Sequence, residues 1–182
     1  MTTGIDPAIF QNVVQNVRAE VLPRLPSLKL DPAIIQKIAQ KVPIFSGMNQ
    51  ACLLGTLAVA ENFPVKTGEA VFAEGDIGTS FYVLIAGDVV VEKRRDGRAV
   101  ELARLGPGEC FGEMALVGND VRSATVRALN EVVAMRFYRD SIDSNPESAH
   151  IIYRNISRIL ASRLGESSVM LADMVLRQQP GP

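Results

Sequence analysis

FGEMALVGNDVRSATVRA, residues Phe111 to Ala128, is the stretch that decides how this chain folds. It follows a Gly106-Pro107-Gly108 corner, so the backbone bends sharply before Phe111, and Glu113 to Leu116 then suits a single helical turn. The unpaired N–H groups and positive dipole end of such a turn form an anion site. Gly112 has no Cβ and lets a ligand approach the backbone closely. After a loop through Gly118, Asn119 and Asp120, the chain returns as Arg122-Ser123-Ala124-Thr125-Val126, which reads as strand. Arg122 supplies a permanent positive charge on a planar fork of donors that matches two phosphate oxygens. Glu113 would repel a phosphate, but it suits a sugar hydroxyl beside one. A phosphate, a ribose hydroxyl and a base make a nucleotide. One Arg, with no Lys and no evident metal carboxylates, fits a nucleotide of low charge and not a triphosphate.

Taken singly, each residue has an ordinary alternative. Gly112 can be a turn glycine, Arg122 can pair with Glu113 or Asp120 on a surface, and Ser123-Ala124-Thr125 can be plain strand. The set at this spacing, between predicted strands, favours binding. Gly112-Glu113-x-Ala115-Leu116, five intervening residues and Arg122-Ser123-Ala124-Thr125 together resemble the phosphate-binding cassette of cyclic nucleotide-binding domains. That family includes the catabolite activator protein, the protein kinase A regulatory subunit and cyclic nucleotide-gated channels. The resemblance extends over roughly residues 31 to 164, through Pro43-Ile44-Phe45, Phe72-x-Glu74-Gly75-Asp76, and Phe81-Tyr82-Val83-Leu84 by way of Gly87 to Val91. It implies that Glu113 takes the ribose 2′-hydroxyl. It also implies that Arg122 and the backbone of Ala115 and Leu116 take the cyclic phosphate, and that Ser123 sits near phosphate and purine. Val91 lies on the strand that lines the purine pocket in that family, and a plain core role suits it equally. The expected ligand-binding set is Val91, Gly112, Glu113, Met114, Ala115, Leu116, Arg122, Ser123 and Ala124, with no catalytic and no metal-binding residue.

The rest of the chain sets the limits. With 182 residues, 47% of them apolar, it is long enough to bury one substantial core. A net charge of −1 provides no broad basic field to attract nucleic acid. No apolar run reaches spanning length, and Met1-Thr2-Thr3-Gly4 has none of the basic and apolar character of a leader, so the expectation is a cytoplasmic protein without membrane or DNA binding. Cys52 and Cys110 are too few for a disulfide framework or a four-cysteine metal site. Cys52 reads as a buried helix residue and Cys110 as a pocket-wall or core residue. His150 reads as an exposed helix residue.

Asp6-Pro7 starts a predicted helix carrying Ile9, Phe10, Val13, Val14, Val17 and Val21, which Pro23 and Pro26 end. Asp31-Pro32 starts a second helix, and a third is expected from about Met48 to Glu61. From Phe63 to about Tyr138 short runs of Val, Phe, Tyr and Ile between Gly turns indicate antiparallel strands. Asp96-Gly97 is a hairpin turn, and Lys93, Arg94, Arg95 and Arg98 form its solvated tip. A short helical turn at Asp140 to Asp143 should precede a helix restarting at Asn145-Pro146. That helix carries Ile151, Ile152, Ile156, Ile159, Leu160 and Leu164, meets Gly165, and resumes to about Leu176. The expected fold is mixed α and β: an eight-stranded antiparallel jelly-roll barrel with flanking N-terminal helices and a long C-terminal helix. The expected division is an N-terminal helical extension at 1–30, a cyclic nucleotide-binding domain at 31–176 (helices 31–61, barrel 63–138, C-terminal helices 139–176) and a tail at 177–182.

Catalysis is weakly supported, since a metal-dependent barrel enzyme needs clustered His and carboxylate ligands and the cassette offers only Glu113 and Arg122. A transcription factor needs a further helix-turn-helix, and the sequence stops at Pro182. The expected function is a receptor for cyclic AMP or cyclic GMP, with no other cofactor, that signals to a protein effector by moving its terminal helices through Leu116 or Val117. Ser123 is compatible with either base. The pairing of Arg122, Ser123 and Ala124, found in resembled domains that use cyclic AMP, favours that nucleotide. A dimer scaffold joined through residues 1 to 25 and 147 to 176 is the alternative, and a cyclic dinucleotide sensor a third.

Overall fold

The computed structural model describes residues 38, 40–118 and 120–178. The expected helix that starts at Asp6-Pro7 and the end of the tail lie outside these residues, while of the second expected helix Ile38, Gln40 and Lys41 are described and helical. A 3-10 turn at Pro43–Phe45 leads into α1 (Gln50–Ala58), where the Asn49 side chain caps the helix by accepting from the Cys52 N–H at 2.8 Å. That cap sets the start two residues later than Met48. The helix also ends three residues before Glu61, because Glu61 to Val65 pair as β1 (Glu61–Val65) with β8 (Val132–Tyr138). The barrel therefore begins at Glu61 and not at Phe63. Pro64 is tolerated because β1 is an edge strand.

Between them lie β2 (Ala70–Phe72), β3 (Ser80–Ala86), β4 (Val89–Arg95), β5 (Arg98–Leu105), β6 (Cys110–Phe111), α2 (Met114–Val117) and β7 (Thr125–Ala128). The strands form two antiparallel four-stranded sheets, β1-β8-β3-β6 and β2-β7-β4-β5, packed as a jelly roll. Asp96 (φ 49°) and Gly97 (φ 75°) close the β4-β5 hairpin with two left-handed residues, as that dipeptide favours. At its tip Arg94, Arg95 and Arg98 are exposed.

β3 is buried on both faces, because alternate side chains serve two cores. Tyr82 and Leu84 point between the sheets with Val65, Phe111, Val126 and Ala134. Phe81, Val83 and Ile85 point to a helical layer with Leu53, Phe137, Ile142, Ile152 and Ile156. That layer is completed by α3 (Arg139–Asp143) and α4 (Pro146–Gln178). α4 runs through Gly165 unbroken, so Arg177 and Gln178 are helical and not tail. Asn155, fully buried, donates to the carbonyls of Ile44 and Ser46 at 3.0 and 2.8 Å and fixes the 3-10 turn to α4. His150 is exposed, while Cys52 and Cys110 are both buried free thiols.

Candidate functional site

β6 ends at Phe111, and Gly112, at φ 77°, turns the chain from that strand into α2. The turn and strand border an open pocket, lined by Phe72, Val91, Leu105, Phe111 and Val126 on its apolar side. Gly112, Glu113, Met114, Ala115, Arg122, Ser123 and Ala124 line the rest, with Arg163 arriving from α4. The fold thus gathers all of the expected binding residues except Leu116. That side chain turns away into the helical core, and its N–H donates to the Glu113 carbonyl at 3.0 Å, so this amide is engaged within the turn. Val91 lines the pocket and also packs on the core between the sheets.

Arg122 is buried, with 4% of its surface exposed. Its guanidinium lies 4.2 Å from the Phe72 ring centre, donates through Nη1 to the Gly112 carbonyl at 2.8 Å and through Nη2 to Ser80 Oγ at 3.2 Å. Two glycines make room for it. A Cβ on Gly112 would stand 2.8 Å from Nη1, and one on Gly78 would stand 2.6 Å from Nη2. The space left open by Gly112 therefore belongs to Arg122, not to bare backbone. Burial holds the guanidinium below its ordinary pKa, though it stays charged.

Glu113 is 2% exposed and pairs with neither Arg122 nor a neighbour on its own turn. Arg163 Nη1 donates to its carboxylate at 2.5 Å, and Arg163 Nη2 donates to the Cys110 carbonyl at 2.7 Å. Burial raises the Glu113 pKa, and the adjacent Arg163 opposes the rise. The Cys110 thiol beside it is pushed up by burial and by the Glu113 charge, which leaves it unreactive. Asp120, in a left-handed conformation, pairs with Arg139, whose Nη2 also donates to the Ala115 carbonyl at 2.6 Å. Arg139 thus straps both ends of the α2 loop to the start of α3. Ser123 Oγ donates to Met114 Sδ at 3.2 Å.

Sequence reasoning missed Arg163, Arg139, Ser80 and Gly78. Only Arg163 left a signal. Ile152, Ile156, Ile159 and Arg163 follow one another at steps of four, three and four, so a cation stands in the apolar stripe of α4.

Residues 63–144 match the family model of the cyclic nucleotide-binding domain. The chain is 29% identical over 148 residues to a CRP-like cAMP-activated global transcriptional regulator of Mycobacterium tuberculosis, covering 81% of this chain and 66% of the relative. It is 34% identical over 99 residues to a cAMP-dependent protein kinase regulatory subunit of Mycosarcoma maydis, covering 53% and 18% respectively. The catabolite activator protein of Thermus thermophilus superposes with a TM-score of 0.66 at 28% identity, over 73% of this chain and 63% of that one. The chain spans just under two thirds of the bacterial regulator's length. No helix among the described residues is long and apolar enough to cross a membrane, and no three of their His, Cys, Asp or Glu side chains converge as a metal site.

Proposed function

We propose that this chain is a receptor for a cyclic nucleotide, cyclic AMP before cyclic GMP, that reports occupancy of its pocket to a protein partner through α4. The reading is that of a cytoplasmic binding module, not an enzyme. The observation that carries it is the ion pair from Arg163 of α4 to Glu113, the carboxylate suited to a ribose hydroxyl. A sugar hydroxyl arriving at Glu113 meets Arg163 there, so ligand and helix compete for, or share, one acceptor. This gives the differential interaction with two helix positions that a ligand needs in order to shift a conformational equilibrium. Arg122 supports the phosphate role. Its guanidinium has five N–H groups, of which two are used on Gly112 and Ser80, and the others remain for an anion. Leu116 supports the mechanical role, since its side chain packs in the same cluster as Ile152 and Ile156 of α4. Both curated relatives described above are named for cyclic AMP, which agrees with the base expected from Arg122, Ser123 and Ala124.

The test is calorimetric titration of cyclic AMP, cyclic GMP and a cyclic dinucleotide into the wild type and Arg122→Ala. The expected result is micromolar or tighter binding of cyclic AMP, weakened about tenfold to a hundredfold by the substitution, as befits the loss of about 1.5–3 kcal/mol from a charged hydrogen bond. Amide exchange along α4 that stays unchanged at saturation would remove the switching part and leave the binding. Absence of heat with every ligand would remove both.

A second reading has its own observation. Beyond the pocket, α4 exposes Leu164, Leu171, Met174 and Leu176, each more than 60% accessible. A helix surface of this kind serves to pair two copies of the chain. A scaffolding dimer would keep its mass and its partner with or without nucleotide, whereas a receptor would not. Light scattering on Leu164→Arg and Leu171→Arg, each with and without cyclic AMP, separates the two.

A further inference from the structure

Ser80, buried at the start of β3, is shared by two arginines. Arg122 Nη2 donates to its hydroxyl at 3.2 Å, and Arg136 Nε, from β8, reaches the same oxygen at 3.4 Å. Arg136 arrives there because it faces Tyr82 in the β3-β8 register, and Tyr82 and Ser80 lie on the same face of β3. Its guanidinium stands 4.3 Å from the Tyr138 ring centre and within cation–π range of Phe63 and Tyr82. Among the described residues neither guanidinium has a carboxylate at ion-pair distance. Acidic groups nearby are otherwise engaged. Glu61, opposite Arg136 on β1, accepts from the Tyr138 hydroxyl at 3.1 Å, Asp76 accepts from the Ala73 N–H at 2.8 Å, and Glu113 is held by Arg163. Two like charges therefore meet across one neutral hydroxyl beside the pocket, which costs free energy unless an anion is added.

We infer that Arg136 is a positioning residue for the anion site: set beside Ser80, it pushes the Arg122 guanidinium toward the pocket and adds to the positive potential there, so a bound phosphate is held more tightly than by Arg122 alone. Arg136 and Ser80 do not line the pocket, so the effect passes through Arg122 and through space. The Coulomb repulsion from Arg136 opposes the charge on Arg122 in the same sense. This inference rests on reading the pocket as an anion site. It adds that the pocket's affinity is electrostatic in a way that Glu113 and Arg122 do not account for.

The experiment titrates cyclic AMP into the wild type, Arg136→Met and Arg136→Lys at low and at high ionic strength. Met keeps the apolar stem between the rings and loses the charge. The expected result is binding about threefold to tenfold weaker in Arg136→Met at low salt, a gap that narrows as salt screens the charge, and recovery in Arg136→Lys. Affinity within twofold of wild type at low salt would overturn the inference, as would a loss that salt does not change or that Lys does not restore. A wild type that binds no cyclic nucleotide overturns the function proposed above, and inorganic phosphate then serves as probe. Phosphate binding with the same charge and salt dependence keeps the inference, and absence of phosphate binding overturns it too.

Discussion

Arg163 and Glu113, fifty residues apart in sequence, meet at 2.5 Å where α4 reaches the pocket. The carboxylate is almost wholly buried, and the guanidinium is about a third exposed. Removing the cation leaves a buried acid without its main partner, which is the costly way to break such a pair. Arg163→Ala is expected to lower the ligand-free stability by about 1–3 kcal/mol, reduced from the fully buried case because water reaches the guanidinium. Urea denaturation measures it, and amide exchange should quicken in α4 beyond residue 160.

The same carboxylate sets a pH dependence. Burial raises its folded pKa above the ordinary 4.5, so between 4.5 and the raised value the folded chain holds more protons than the unfolded one. Stability from this group is then full below 4.5 and falls as pH rises through that window. Urea midpoints measured upward from pH 4.5 should show the decline, and Glu113→Gln should flatten it. Arg163→Ala removes the charge that opposes the rise, so its decline should extend to higher pH.

Gly78 has no unusual backbone angle, yet a methyl group there would stand 2.6 Å from the Arg122 guanidinium. Gly78→Ala must displace that side chain or the loop that carries the new methyl. A stability loss of about 1–3 kcal/mol is expected, together with weaker binding of cyclic AMP. Gly68→Ala is the control, because its Cβ would meet nothing within 4 Å although its φ of 82° is strained. It should cost stability and leave affinity alone.

Arg139 joins the Ala115 carbonyl and the Asp120 carboxylate to the first residue of α3. Arg139→Ala is expected to speed amide exchange across residues 114 to 122 by about tenfold, with little change in β3 and β8, since about 1.4 kcal/mol of local stability corresponds to that factor. Equal acceleration in the strands would mean that the residue supports the whole fold and not the loop.

Much of the architecture could be read from the sequence because its signals are local. Asp96-Gly97 dictates a two-residue hairpin whatever surrounds it, and the Val- and Phe-rich runs between glycines dictate strands. Most of the polar lining could be read because it lies within one short segment, Gly112 to Ala124, whereas Phe72, Leu105 and Val126 come to the pocket from separate strands or strand ends. The start of α1 was misread because the Asn49 cap fixes it, and its end because the run from Cys52 to Ala60 contains no proline and only pairing with Val132 to Arg136 makes Glu61 a strand residue. Leu116 was expected to offer its backbone N–H to the ligand, and here that N–H donates to the Glu113 carbonyl, an internal hydrogen bond that spacing alone does not disclose. Arg163, Arg139 and Arg136 reach the site from distant elements, and charges on a helix or strand normally read as solvated.

Asn155 pins α4 to the 3-10 turn, and Ile156 is the last fully buried residue of its apolar face. If that point is the fulcrum, Arg163 sits about 10 Å along the arm and Arg177 about 32 Å along it, at 1.5 Å per residue. Any sideways step forced on Arg163 by a molecule at Glu113 then arrives at the far end about three times larger. An ångström at the pocket becomes the width of an atom at the tip, which is the scale on which one surface ceases to fit another.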